Sequence, residues 1–309
     1  MTARAATAPL RGTQSLVGQM GWVTSRPLLI AIEIGWRWLF GIPFLAACRI
    51  GEQRILAEVP PASAGLDAIN SQNPWQAAGQ LAHAWTLYAP HVGEALRWLA
   101  PLGAVAWVII SGLGRSLVLK YIDPEMKEHL RFRPLRMMLL QAGWLLLLGA
   151  TWWGWLHAID WAAASHFNNG GEPDLVGFAI WLIFLSLGFF TAWALLSWTF
   201  SVAPIVMLLE DRSALSALAQ SPRLGKEFTS KLVEINMVMG IVNLALIVLA
   251  MVLSAAPLPF SDELGADALH FISLAAVVFY LVASDYFQVV RLKGFVEFWK
   301  MCRGSEIPG

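Results

Sequence analysis

The chain reads as an all-α, polytopic integral membrane protein: a six-helix transmembrane bundle with amphipathic helices at the interfaces. Three observations lead there. Of the 309 residues, 57% are hydrophobic and only 14% are charged, against about 25% charged in soluble domains. Mean hydropathy is +0.60, and apolar runs recur at the length of roughly 20 residues that a helix needs to cross about 30 Å of hydrocarbon. The runs do not alternate polar with apolar residues, as the strands of a membrane barrel would. A helix satisfies its backbone within one segment, which is the condition for crossing lipid.

Residues 1–26 read as a cytoplasmic N-terminal tail. They lack an apolar h-region and a cleavage pattern, so a cleaved signal peptide is not expected. Leu16, Met20 and Val23 stand at helical spacing, which also admits a short helix on the membrane surface. The membrane domain is expected over 27–290. Its first run, Pro27–Ile50, opens on a proline suited to a helix start. It carries Glu33 and Arg37 four residues apart, in the order that favours a helix pair. Charge inside a membrane is costly and points to function by default. The plainer reading is a pair that anchors the helix by snorkelling toward the headgroups.

An outer loop is expected over 51–94, where PPASAG and SQNPW are turn signals. Within it, Trp75–Tyr88 and Glu94–Trp98 suit short amphipathic helices at the interface. The next spans are Ala95–Val118, Leu135–Trp161 and Leu175–Leu209, the last longer than a bilayer needs. Trp152, Trp153 and Trp155 form an aromatic cluster in the third span. A cytoplasmic elbow over 210–231 leads to the fifth span, Leu232–Ala256, and the sixth is Ala268–Val290. Asp285 falls near the inner end of the sixth span. A structural partner suits it better there than a proton relay. Residues 291–309 read as a basic, aromatic cytoplasmic tail suited to an anionic leaflet.

Orientation follows from the basic residues. Lys and Arg number three in Met1–Arg26, six in Arg115–Arg136, four in Glu210–Lys231 and four from Arg291 onward, 17 of the 21 present. The loops over 160–175 and 257–268 hold none, and six acids instead. Basic residues stay on the cytoplasmic side. Both termini are therefore expected in the cytoplasm, and the cell inner membrane of a bacterium is the natural location. Cys48 and Cys302 then lie on opposite sides, so no disulfide between them is expected.

Catalytic signatures are not found. There is no P-loop, no HExxH and no nucleophile elbow. No C-x-x-C pair offers a thiolate metal site. Five of the six histidines fall toward the outer face, with His157 and His270 the weak candidates for holding haem or a metal. No cofactor is predicted, since no histidine pair has ligand spacing.

The elbow carries the one family resemblance. Ala203-Pro204, an apolar run, Glu210, Ala217-Leu218, Ser221, Leu224 and Lys226 precede a new membrane helix. The pattern resembles a stretch in the six-helix membrane domains of some bacterial glycerophosphodiester phosphodiesterases and related membrane proteins. The resemblance covers about this stretch alone and implies a fold without catalysis, since no soluble segment is long enough for a phosphodiesterase domain. On the residues themselves, Ala214, Leu215, Leu218 and Leu224 can face the bilayer or the bundle. Arg212, Arg223, Lys226 and Lys231 can face water and anionic lipid headgroups.

The expected function is non-enzymatic: a membrane scaffold or accessory subunit that binds lipid or another membrane protein, or associates with itself. A small transporter or permease subunit is the alternative, with Glu33, Arg37 or Asp285 lining a polar cavity. A haem- or metal-binding membrane protein is the third reading. No nucleic-acid partner is expected.

Overall fold

The computed structural model describes residues 12–66, 74–122, 133–167, 174–223, 226–255 and 265–304. Among these the fold is all-helical: α1 (Gly12–Thr24), α2 (Pro27–Glu58), α3 (Pro74–Tyr121), α4 (Pro134–Phe167), α5 (Leu175–Leu209), α6 (Ala214–Gln220), α7 (Lys226–Ala255) and α8 (Ala266–Gly304). A 3-10 turn, Ser221–Arg223, follows α6. Six of these helices are long and apolar enough to cross a membrane. Three of them begin on proline, at Pro27, Pro74 and Pro134. Proline is preset for the first helical position, where its missing N–H would have had no partner anyway.

The helices are longer than the spans read from hydropathy. In the segment read as an outer loop over 51–94, the short helices expected at Trp75–Tyr88 and Glu94–Trp98 are parts of one long helix: α3 starts at Pro74, and α2 continues to Glu58. Hydropathy sees the lipid-crossing part alone, whereas polar residues with good helix propensity extend a helix past it. Arg49 supports the extension with a hydrogen bond to Glu52 one turn on, at 2.7 Å. Residues 12–24, where Leu16, Met20 and Val23 stand at helical spacing, form α1, and the basic segment after Val290 is helical as the continuation of α8.

The chain divides into two compact units, one of residues 1–34 and 112–309, the other Gly35–Ser111. In the second unit the distal halves of α2 and α3 form an antiparallel hairpin. Phe40 meets Phe44 at 5.2 Å and Trp107 at 5.1 Å between ring centroids. Gly103 leaves room for the Phe44 ring, which a Cβ there would meet at 2.6 Å. Toward the turn, Tyr88 donates to the Val59 carbonyl at 3.1 Å, and His91 lies 2.7 Å from Glu58.

In the first unit α4 and α5 form a second antiparallel hairpin, zipped by aromatic contacts along its length. Phe167 meets Phe178 at 4.9 Å, Trp161 meets Trp181 at 5.5 Å, and Trp144 meets Trp193 at 5.6 Å. At its turn Asp174 caps α5 by accepting from the Gly177 N–H at 2.9 Å. A Cβ on Gly177 would sit 2.7 Å from the His166 ring, so the two helices close only over glycine.

The buried side chains of this unit gather at the opposite end, where α5 passes into α6 and α7. Val202, Ile205, Val206 and Met207 are buried on α5, Val118, Leu119 and Ile122 at the end of α3, and Met137 and Leu140 at the start of α4. Val289, Val290, Phe295 and Val296 are buried on the last turns of α8, and Ile235 near the start of α7. α1 packs on α8 and α7 at this same end.

Candidate functional site

The elbow is built from a helix stop, a short helix and a pair of arginines. The apolar run of α5 ends at Glu210, whose N–H bonds to the Val206 carbonyl. Asp211 then takes a left-handed conformation at φ 50°, and the Arg212 N–H returns to the Met207 carbonyl at 3.1 Å. This closes the helix in a Schellman arrangement, with Asp in the position glycine usually holds. Asp is among the few L residues that tolerate that conformation. Ser213 starts α6 by accepting from the Ser216 N–H at 3.3 Å. Ser221 ends it by donating to the Ala217 carbonyl at 2.7 Å.

Two arginines at the start of α4 hold this turn. Arg133 binds both carboxylate oxygens of Asp211, through Nη1 to Oδ1 and through Nη2 to Oδ2 at 2.7 Å. Arg136 Nη1 donates to Asp211 Oδ1 at 3.0 Å and to the Arg212 carbonyl at 3.0 Å. The forked guanidinium matches the carboxylate, which gives the pair geometry as well as attraction. Asp211 is 61% exposed, so each ion pair contributes about 0–1 kcal/mol. The arrangement fixes the α4–α5 register and the departure angle of α6.

Arg212 is exposed, and its guanidinium is bound to Glu210 Oε2 at 2.8 Å. Arg223, Lys226 and Lys231 carry side chains outside the described residues. On α6 the split is sharper than the sequence implied. Ala214 and Ala217 are buried, while Leu215 is among the most exposed apolar residues of the chain.

α1 closes the same end. Tyr286 donates from α8 to the Met20 carbonyl at 3.0 Å, and its hydroxyl lies 3.1 Å from Thr24 Oγ1. The Trp22 ring has Arg26 at 4.0 Å and Lys293 at 4.3 Å from its centroid, two cation–π contacts. Lys293 is buried and donates to Glu297 at 2.5 Å. Gly294 lets α1 approach, since a Cβ there would meet Gln19 Oε1 at 2.8 Å.

Of the intramembrane charge candidates, Glu33 is 1% exposed and Asp285 is 4% exposed. Glu33 is thus enclosed by protein. Arg37 is half-buried, with its guanidinium 5.4 Å from the neighbouring Trp36 ring. His157 is exposed, its ring against Trp153 at 4.1 Å and its Nδ1 3.1 Å from that residue's carbonyl. His270 is exposed on α8. Among the described residues no group of three or more His, Cys, Asp or Glu is arranged to hold a metal ion.

The latch residues Arg133, Arg136 and Asp211, and the α1 contacts of Trp22, Lys293 and Tyr286, were not among the sequence candidates. One signal could have found the latch. An Arg-x-x-Arg opens α4, antiparallel to a helix that stops on Glu-Asp, so opposite charges meet at the hairpin's open end. Compared with protein-family models, with curated proteins and with solved structures, the chain matches none.

Proposed function

We infer that this chain is a non-enzymatic, multi-pass scaffold or accessory subunit of a bacterial inner membrane, with both termini cytoplasmic. It binds lipid or another membrane protein through the sides of its spanning helices. One observation carries this reading: in the most apolar 18-residue stretch of α5, no residue is buried by the rest of the chain. This stretch packs on α4 along one side, and an apolar helix left uncovered on its other sides is finished by something outside the chain. The basic residues on the elbow side support the orientation. The elbow's likeness to the six-helix domains described above supports a fold without catalysis.

Native mass spectrometry of the chain, extracted gently from its own membrane, tests the reading. A mass above 34.0 kDa by a whole polypeptide, or by stoichiometric lipid, is the expected result. A bare monomer carrying neither would overturn it.

A small transporter or permease subunit is the second reading, favoured by the burial of Glu33 and Asp285. The cavities at the α4–α5 hairpin and at the α2–α3 hairpin are lined by neither residue. If the scaffold reading holds, Glu33→Gln with Arg37→Gln leaves expression and assembly mass unchanged. Loss of a substrate flux in that variant, at normal expression, would favour the transporter.

A further inference from the structure

Midway along the α4–α5 hairpin the zip opens into a groove of about 420 Å³, within the range of about 300–1,000 Å³ typical of small-ligand sites. Five of its walls are aromatic: Trp152 and Trp155 from α4, and Phe189, Phe190 and Trp193 from α5. Trp152 and Trp155 meet edge to face at 5.3 Å. Gly154 lets Phe189 fold inward, since a Cβ there would lie 3.0 Å from its ring.

The depth of the groove decides its occupant. Its α5 residues stand between Ser186 and Trp193, in a helix of 35 residues that starts at Leu175. At about 1.5 Å per residue the groove lies roughly 16–27 Å from the Leu175 end and roughly 24–35 Å from the Leu209 end of a helix about 50 Å long. In a helix that spans the bilayer this is the middle of the hydrocarbon, where the filling phase is lipid tail and not water or headgroup. Tryptophan favours the interface instead, so three indoles at this depth need a local reason.

Two polar contacts in the walls are made within the hairpin itself. The Trp155 Nε1–H donates to Ser186 Oγ at 3.0 Å across the hairpin, and the Thr151 hydroxyl donates to the Leu147 carbonyl at 2.8 Å. The exposed lining is almost wholly apolar, which suits an occupant without polar atoms. Rigid rings, held apart by a cross-helix hydrogen bond and a glycine, keep the space open.

We propose that this groove holds one acyl chain of a membrane phospholipid, retained in preference to the lipid that coats the other helix faces. The proposal rests on the membrane-scaffold reading and names the lipid-binding part of it. The groove is a fixed site because its two walls are one hairpin, in register from the Asp174 cap to the Asp211 latch.

The test uses the full chain in bilayers of a phospholipid with a diazirine at mid-chain. After illumination, crosslinked residues are assigned by mass spectrometry. Thr151, Trp152, Phe189 and Phe190 are expected to be labelled about tenfold over Leu187, a preference of about 1.4 kcal/mol. Leu187 is exposed on the same helix at the same depth. Thr151→Phe, which fills the groove, should abolish the excess and leave Leu187 and Leu244 labelled as before. Labelling of groove residues in the same proportion to exposure as Leu187 would overturn the groove, and leave the scaffold reading standing. No labelling on any span would overturn the scaffold reading itself. Should Thr151→Phe fail to fold, the wild-type ratio alone decides.

Discussion

The two ends of the α4–α5 hairpin and its middle are made by different physics. At the elbow end, Arg133 and Arg136 grip Asp211, α6 is capped at both ends, and α1 is bound by Tyr286 and by Lys293 over its Trp22 ring. Side chains from α3, α4, α5, α7 and α8 are buried there. In the middle, rings touch across the hairpin while Ile183, Leu187 and Phe190 remain mostly uncovered. Hydrocarbon gives apolar helix faces no reason to seek each other, so packing in the membrane needs close fit or polar contacts. At the elbow, polar contacts are plentiful and the structure closes on itself. In the middle the apolar faces are left uncovered by the rest of the chain.

Core truncation sharpens this contrast most. Phe295 is 1% exposed on α8, and Phe295→Ala should cost about 3–5 kcal/mol, read as lost thermal stability in a defined nanodisc. A loss below about 1 kcal/mol would mean that the elbow end is not a packed core. Next comes the close approach of α3 and α4. A Cβ at Gly112 would meet the Met138 backbone N at 3.0 Å. Gly112→Val should cost about 1–3 kcal/mol through backbone displacement, by the same measurement.

The latch comes third. Asp211→Gly removes the arginine pairs but suits φ 50°, whereas Asp211→Ala loses the pairs and strains the backbone. Alanine should be the less stable of the two by about 1 kcal/mol, and equal stabilities would refute the strained turn. The smallest effect is expected mid-span. Phe190 is 67% exposed, and Phe190→Ala should stay within about 0.5 kcal/mol of wild type in lipid. A large loss there would erase the distinction between the two regions.

Parts of this were legible in the residues. The bounds of α5 follow from an uninterrupted apolar run between Asp174 and Glu210, where hydropathy and helix length coincide. The other helices overrun their spans, because residues such as Gln53 and Glu297 continue a helix that hydropathy has already ended. Glu33 and Asp285 stood out because charge is rare in an apolar run. Asp211 did not, since an acid in a charged loop is ordinary until its φ and its partners from a distant helix are known. The helical spacing of Leu16, Met20 and Val23 admits α1 but not its packing. Its place depends on Gly294 and Tyr286, more than 260 residues away, and no local pattern encodes that contact.

The most direct test of the two-region account is labelling with a membrane-dissolved carbene reagent, read residue by residue, in pure lipid and in the native membrane. The account predicts strong labelling of Ile183, Leu187 and Leu195 in pure lipid, and none of Val206, Met207 or Phe295 in either setting. Loss of part of the α5 labelling in the native membrane would outline a partner's footprint. Unlabelled α5 residues in pure lipid, or a labelled elbow core, would contradict the account.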